Sequence, residues 1–280
     1  MSEFAIQQYF ENNPVRKIER GNQSIIYGSK DLIIKVIEPR KISANMAAMA
    51  IGKENGKGFD PRIAADLRKM YEKLARDAYG LGKAKFGGCV VPFEMPQHVE
   101  ATLKHWFSIW GDKANFYHPV VQERVNMKQS LRAFLDKAAK DGDVDFMREL
   151  IGAMIETNMA LIERGGFPYD CHPTNYTVTG VDAEGHFDGV ELIDVGGLIL
   201  SRKKLTGLLK TEENKEQADK FRDMTIGKYE GIIRKLGDSE AANDLISDIR
   251  KRITPMFSPR ILSRFGTKKG EPVPEVHVPA

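Results

Sequence analysis

The chain has 280 residues, 41% of them hydrophobic and 29% charged, which predicts a globular protein with a substantial core. Its 42 basic and 39 acidic residues leave a net charge of +3, too balanced to indicate nucleic acid as a partner. Two cysteines argue against a disulfide framework, and we find neither a signal peptide nor an apolar run of the about 20 residues that span a membrane. We therefore expect a cytoplasmic protein without a membrane partner.

The first half of the chain predicts mainly strands. Pro14 ends a short first helix, and Asp60 is a suitable N-cap for a second helix. Between them, turn signals alternate with β-branched runs, a pattern typical of a strand meander. The predicted elements are a helix over 1–13, strands over 15–38, a helix from Pro61 to near Gly80, and strands over 89–95 and 118–125. Residues 96–116 receive no assignment.

The second half predicts mainly helices. Apolar residues recur at helical spacing from Met127 onward, and Gly165-Gly166 ends the longest helix. The predicted elements are helices from 127 and over 144–164, strands over 176–181 and 189–193, helices over 215–235 and 239–253, and a disordered tail over 266–280. This order predicts an α+β fold in two lobes: a small β-rich N-lobe over 1–125 and a mostly helical C-lobe over 126–265.

A polar loop with the sequence DCHPTN precedes the first of the two late strands. Asn175 follows Asp170 by five residues, and Asp194 follows Asn175 by nineteen. A hairpin between these points would bring Asp194 back beside Asn175. Carboxylate and amide oxygens in an incomplete set suit a Mg²⁺ ion that also binds phosphates. Upstream, Lys35 interrupts an apolar strand, where an ammonium group needs an anionic partner.

At these residues the chain resembles the protein-kinase-like superfamily. DCHPTN resembles its catalytic loop, LIIKV resembles the strand that carries the ATP-phosphate lysine, and IDVGG resembles its Asp-Phe-Gly motif with Val195 in place of Phe. The His-Pro inside the loop looks more like aminoglycoside and choline phosphotransferases and other atypical kinases. The resemblance covers roughly residues 15 to 200 in the family's order.

The resemblance implies roles for four residues. Asp170 would orient or deprotonate the acceptor hydroxyl, Asn175 and Asp194 would hold Mg²⁺, and Lys35 would contact the α- and β-phosphates of ATP. Glu72 is the preferred ion-pair partner of Lys35, and Asp66 is the alternative. The remaining implied ATP contacts are the phosphate loop at Gly21, Gln23 and Ser24 and the adenine site near Glu123 and Val125.

The chain departs from the family pattern in ways that leave several functions open. Its phosphate loop has two glycines rather than three, Pro168-Tyr169 replaces the usual residues before the aspartate, and no Ala-Pro-Glu follows Asp194. We expect an ATP- and Mg²⁺-dependent phosphotransferase acting on a hydroxyl acceptor, with a small molecule favoured. The alternatives are an atypical Ser/Thr protein kinase of the phage or secreted-effector type, which would act in a host cytosol; a nucleotide-binding pseudokinase; and an enzyme that transfers AMP.

Overall fold

The computed structural model describes residues 3–20, 24–37, 88–91, 93–104, 111–117, 119–182, 185–194, 198–199, 201–237 and 239–267. These residues contain both helices and antiparallel strands, which confirms the predicted α+β class. The chain divides into two compact units, the first of residues 1–83 and 92–124, the second of residues 84–91 and 125–280. None of the described helices is both long enough and apolar enough to cross a membrane.

The described helices are α1 (Glu3–Asn12), α2 (Leu131–Asp141), α3 (Val144–Glu163), α4 (Arg202–Lys210), α5 (Glu212–Ile233) and α6 (Glu240–Ile253). The strands are β1 (Arg16–Arg20), β2 (Ser24–Gly28), β3 (Leu32–Ile37), β4 (Phe93–Glu94), β5 (His98–Lys104), β6 (Gly111–Tyr117), β7 (Val120–Glu123), β8 (Phe167–Pro168), β9 (Tyr176–Thr179), β10 (Gly189–Leu192) and β11 (Leu198–Ile199).

The first unit is built on a five-stranded antiparallel sheet with the order β1-β2-β3-β7-β4. The predicted strand meander is confirmed as β1 to β3, and the strand predicted over 118–125 is β7. In β3, Lys35 lies opposite Ile26 of β2 and Val120 of β7. Side chains alternate along a strand, so Leu32 and Ile34 point to one face of the sheet and Lys35 points to the other.

The face of Leu32 and Ile34 forms the core of the first unit together with α1 and a β5–β6 hairpin. Ile6 and Phe10 of α1 are fully buried, one helical turn apart, which explains why this ten-residue helix is stable in its place. The hairpin occupies much of the stretch that the sequence left unassigned. Its second strand, β6, is exposed at most positions and therefore carries too little apolar alternation to be recognised as a strand.

Two helices of the second unit, α2 and α3, pack against each other. Side chains of Ser130 and Asp143 cap their N-termini by accepting hydrogen bonds from backbone N–H groups, and Gly142 adopts the left-handed conformation (φ 73°) that the tight turn requires. Helix α3 packs against α2, α6 and β10, and ten of its residues are buried. This long buried helix is the element that supports the candidate site.

Several predicted elements differ from the structure. The strand predicted over 89–95 is divided: Phe93–Glu94 joins the sheet of the first unit, whereas Val90 forms a bridge with Leu192 in the second. Helix α4 has no counterpart in the prediction. The division between the units falls after Arg124, and residues 84–91 belong to the second unit. The helix predicted from Pro61 and the tail beyond 267 lie outside the described residues.

Candidate functional site

The β9–β10 hairpin brings Asp170, Asn175 and Asp194 to one end of a short ladder. Tyr176 lies opposite Leu192 in the hairpin, and one residue further on the Ile193 N–H donates to the Asn175 carbonyl at 2.7 Å. The Asn175 side chain in turn donates from Nδ2 to the Asp170 carbonyl at 3.2 Å. The hairpin therefore places Asp194 next to Asn175, and Asn175 next to Asp170, as the spacing of these residues suggests.

The negative charges of Asp170 and Asp194 both act on the phenol of Tyr169. Burial raises the pKa of Tyr169 well above its ordinary value, and the negative charges of Asp170 and Asp194 raise it further. Both carboxylates therefore lie near the same phenol. Asp170 is half-buried and Asp194 is exposed, so both are within reach of a ligand from solvent.

The orientation of Asn175 fits the binding of a hard cation. Its Nδ2 is engaged with the Asp170 carbonyl, so the carboxamide oxygen Oδ1 is the atom left to face a metal. Oxygen ligands from one amide and one carboxylate suit Mg²⁺, which usually takes one or two protein carboxylates and completes its shell with phosphates and water. Within the described residues no group of three or more His, Cys, Asp and Glu side chains is arranged to hold a metal. Two protein oxygens would leave the other positions of a Mg²⁺ shell to phosphate and water.

A buried hydrogen-bond network fixes the loop that carries Asp170. Tyr176 donates its hydroxyl to Asn158 Oδ1 at 2.8 Å, and Asn158 Nδ2 lies 3.5 Å from the Cys171 sulfur. The Tyr229 hydroxyl donates to the Cys171 carbonyl at 3.1 Å, and the Cys171 thiol donates to the Pro168 carbonyl at 3.3 Å. Helices α3 and α5 therefore hold the backbone on the C-terminal side of Asp170 from inside the unit.

Cys171 has a structural role in this network. The residue is 1% exposed, and burial raises the pKa of its thiol to about 12. The thiol therefore stays protonated at neutral pH and cannot supply the thiolate that nucleophilic chemistry needs. Its side chain points into the core, while its neighbours Asp170 and His172 are only half-buried.

His172 closes the turn that positions Asn175. Its Nδ1 accepts a hydrogen bond from the Thr174 backbone N–H at 3.1 Å and lies 2.8 Å from the Thr174 hydroxyl. Because a backbone N–H can only donate, Nδ1 is unprotonated and the imidazole is neutral. Pro173 begins the short 3₁₀ helix Pro173–Asn175 that His172 caps. The His-Pro pair of the loop is thus explained by a cap followed by a residue with the fixed φ of a helix start.

Replacement of His172 by Asn should flatten the acid side of the stability profile. Burial lowers the pKa of His172, and the charges of Lys228 and Arg132 lower it further, against the opposite effect of Asp170. The unfolded chain therefore binds the proton first, so stability is lost as the pH falls from about 6.5 toward the lower pKa of the folded state. Melting temperatures from pH 8 to pH 5 should fall less steeply in His172→Asn, which can still cap the turn.

His98→Asn is the control for this experiment, because it removes an exposed histidine from the other unit. It should keep the profile of the wild type. Identical profiles for His172→Asn and the wild type would contradict the capping role of the neutral imidazole.

The structure describes only some of the predicted ATP contacts. Lys35 is half-buried in β3, Ser24 is the first residue of β2, and Glu123 is the exposed last residue of β7, opposite Leu32. Val125 follows β7 and is half-buried. The other predicted residues, Gly21, Gln23 and Glu72 with its alternative Asp66, lie outside the described residues.

Arg124 of the first unit makes two hydrogen bonds that sequence reasoning did not predict. Its backbone N–H donates to the Asp31 carbonyl at 2.7 Å, and its Nη1 donates to the Ser29 carbonyl at 2.7 Å. The Tyr9 hydroxyl of α1 accepts from the Asp31 N–H at 2.9 Å. The residue between the two predicted adenine contacts is therefore tied to the β2–β3 turn, and α1 braces that turn.

In the second unit, sequence reasoning also missed Asn158 and Tyr229 of the buried hydrogen-bond network. Asn158 gave a signal, because it is a polar residue on an otherwise apolar helix face, and such a residue needs a buried partner. Tyr229 gave none, since its partner is a backbone carbonyl 58 residues away in the chain.

A separate groove of about 650 Å³ in the second unit is lined by α3, by the tip of the β9–β10 hairpin and by Arg252. Asp170, Asn175 and Asp194 do not line it. Its charged residues include both signs, and two of them, Arg148 and Asp145, pair with each other at 2.8 Å. The groove therefore lacks the residues predicted for phosphoryl transfer, and its mixed charge does not favour a phosphate ligand.

Comparison of the chain with protein-family models and with curated protein sequences found no match.

Proposed function

We propose that the chain is an ATP- and Mg²⁺-dependent phosphotransferase that transfers the γ-phosphate to a hydroxyl acceptor. In this proposal the two units correspond to the nucleotide-binding N-lobe and the catalytic C-lobe of a protein-kinase-like fold. The observation that carries it is the convergence of Asp170, Asn175 and Asp194 through the β9–β10 hairpin. Phosphoryl transfer depends on positioning of the reactants and on charge neutralisation. Two carboxylates and one amide oxygen close together can supply both, by orienting the acceptor and by holding a metal ion.

In the second unit Asp170 would act as the base. Its carboxylate would accept or orient the proton of the acceptor hydroxyl, while the network behind Cys171 keeps the backbone of the loop in place. Asn175 Oδ1 and the Asp194 carboxylate would hold Mg²⁺, which when bound neutralises phosphate charge. The acceptor is taken to be a small molecule rather than a protein, because the loop carries His172-Pro173 and no Ala-Pro-Glu follows Asp194.

In the first unit the neighbouring strands β3 and β7 support the nucleotide contacts. Lys35 lies opposite Val120, and Glu123 lies three residues further along β7. Three residues of strand span about 10 Å. A nucleotide covers a similar span between its base and its phosphates, so an ammonium group at Lys35 and backbone groups near Glu123 can serve its two ends. The hydrogen bond from Arg124 to the Ser29 carbonyl ties the backbone next to Glu123 to the β2–β3 turn.

Mg·ATP should raise the melting temperature of the chain, whereas Mg²⁺ alone should have little effect. The reason is that two protein ligands, Asn175 and Asp194, make a metal site only together with phosphate oxygens. Asp194→Asn should retain the response to metal-free ATP and lose most of the additional shift that Mg²⁺ gives. The measurement is thermal unfolding with millimolar ATP, with and without Mg²⁺.

Asp141→Asn is the matched control, because Asp141 is an exposed aspartate at the end of α2 in the same unit. It should respond like the wild type. The proposal is wrong in its metal assignment if Asp194→Asn keeps the full Mg²⁺-dependent shift, and wrong as a whole if no nucleotide shifts the wild type.

Lys35→Met should reduce turnover by roughly 10²-fold, the scale of losing one electrostatic contact that stabilises the transition state. The fold should persist, because Met retains most of the apolar stem next to the cross-strand neighbours Ile26 and Val120. Lys30→Met is the control, since Lys30 is exposed in the adjacent β2–β3 turn. Circular dichroism and γ-phosphate transfer should be measured together. Equal losses of turnover in both variants would remove Lys35 from the ATP site.

A further inference from the structure

Helix α5 runs beside the loop that carries Asp170. The ring of Phe221 contacts the ring of Tyr169, with centroids 5.7 Å apart, and the Tyr229 hydroxyl binds the Cys171 carbonyl at 3.1 Å. These contacts lie on the two residues that flank Asp170, and along α5 they are separated by about two turns of helix. One side of α5 therefore follows the loop from Tyr169 to Cys171.

Lys228 lies at the solvent margin of this side. It follows Phe221 by seven residues, so the two side chains leave the helix within about 20° of each other. Met224 lies one turn from both of them and is 43% exposed. Lys228 is itself exposed, and its ammonium is close enough to His172 to lower the pKa of that imidazole. The loop thus has an accessible cation and an accessible apolar side chain along one edge.

The other charges near His172 do not cancel this cation. Arg132 of α2 pairs with Asp136 at 2.6 Å, and Lys235 pairs with the other oxygen of the same carboxylate at 2.8 Å. One carboxylate therefore serves two cations. Lys228 forms no ion pair with any carboxylate of the described chain. With Asp170, whose negative charge opposes theirs at His172, this side of the loop has three cations, Lys228, Arg132 and Lys235, and two carboxylates.

We infer that the acceptor carries an anionic group, a phosphate or a carboxylate, and that Lys228 binds this group while Met224 and Phe221 contact the carbon skeleton. The inference rests on the proposed function, since it places the acceptor beside Asp170. An exposed ammonium that pairs with no carboxylate of the described residues favours an anion and repels a cationic acceptor. The acceptor class is thereby narrowed to small, negatively charged hydroxyl compounds.

The test measures anion binding at this edge without nucleotide or Mg²⁺. The full chain at pH 8 is titrated with inorganic phosphate, with glycerol 3-phosphate and with glycerol, and the imidazole C–H signals of His172 are followed by NMR. The signal is assigned by its loss in His172→Asn. At least one of the two anions should shift it with saturation, and uncharged glycerol should not. Lys228→Gln should weaken binding roughly 10- to 100-fold, the scale of one charge-assisted hydrogen bond.

Lys220→Gln is the matched control, because Lys220 is exposed on the same helix but is turned away from the loop by about a quarter of a turn from Phe221. It should leave anion binding unchanged. The inference is overturned if neither anion gives a saturable shift, if glycerol acts equally, or if Lys228→Gln binds like the wild type. Since no ATP is present, such a failure leaves the transfer activity itself as a separate question, which γ-labelled ATP answers.

Discussion

Asp170→Asn is expected to lower turnover by roughly 10²–10⁴-fold, the usual contribution of a general base. Asparagine keeps the size of the side chain but cannot accept the proton of the acceptor hydroxyl. The backbone carbonyl of residue 170, which accepts from Asn175 Nδ2, is unaffected by the change, so the loop should keep its shape. Binding of Mg·ATP should therefore remain close to that of the wild type, and the loss should be in kcat.

The comparison of kcat with nucleotide affinity makes this prediction specific. Asn175→Ala should behave differently, because it removes the oxygen proposed to bind Mg²⁺ and the bond to the Asp170 carbonyl together. It should lose affinity for Mg·ATP as well as turnover. Asp141→Asn again serves as the exposed control. Turnover at the level of the wild type in Asp170→Asn, with any acceptor, would show that the loop is only a turn.

Asn158→Ala is expected to destabilise the second unit by about 2–3 kcal/mol, because it leaves the buried hydroxyl of Tyr176 without its acceptor. For a unit of this size such a loss lowers the melting temperature by roughly 5–10 °C. The change also removes the donor that lies near the sulfur atoms of Cys171 and Met154. The measurement is chemical or thermal unfolding. Asn243→Ala, at an exposed position of α6, should stay within about 0.5 kcal/mol of the wild type.

A double-mutant cycle tests whether these residues act through one bond. Tyr176→Phe removes the hydroxyl from the other side and should cost about 1–3 kcal/mol alone. Combined with Asn158→Ala it should cost less than the two single changes together, since the same hydrogen bond is lost only once. Full additivity would contradict the network.

The proximity of three polar residues in the second unit could be predicted from the local sequence. Asp170, Asn175 and Asp194 lie at the ends of a hairpin whose strands have a clear β pattern, so their proximity follows from local pairing. Helix α3 could also be predicted, because its buried residues recur with helical spacing in the sequence. Both signals depend only on residues that are close in the sequence.

The remaining features depend on contacts between distant segments. The β5–β6 hairpin is stabilised by packing on α1, and the exposed residues of β6 give no alternation that would reveal it. Val90 and Phe93 look like one strand, yet tertiary contacts divide them between two units. Lys228 is one of many basic residues in the sequence, and only the contacts of Phe221 and Tyr229 place it beside the loop.

The most direct test of the proposed activity is incubation of the chain with γ-labelled or α-labelled ATP, Mg²⁺ and a lysate divided into protein and small-molecule fractions. The wild type should transfer label from γ-labelled ATP to the small-molecule fraction in a Mg²⁺-dependent reaction, and Asp170→Asn should not. Transfer from α-labelled ATP alone, or no transfer to either fraction, would contradict the assignment of the chain as a phosphotransferase that delivers the γ-phosphate.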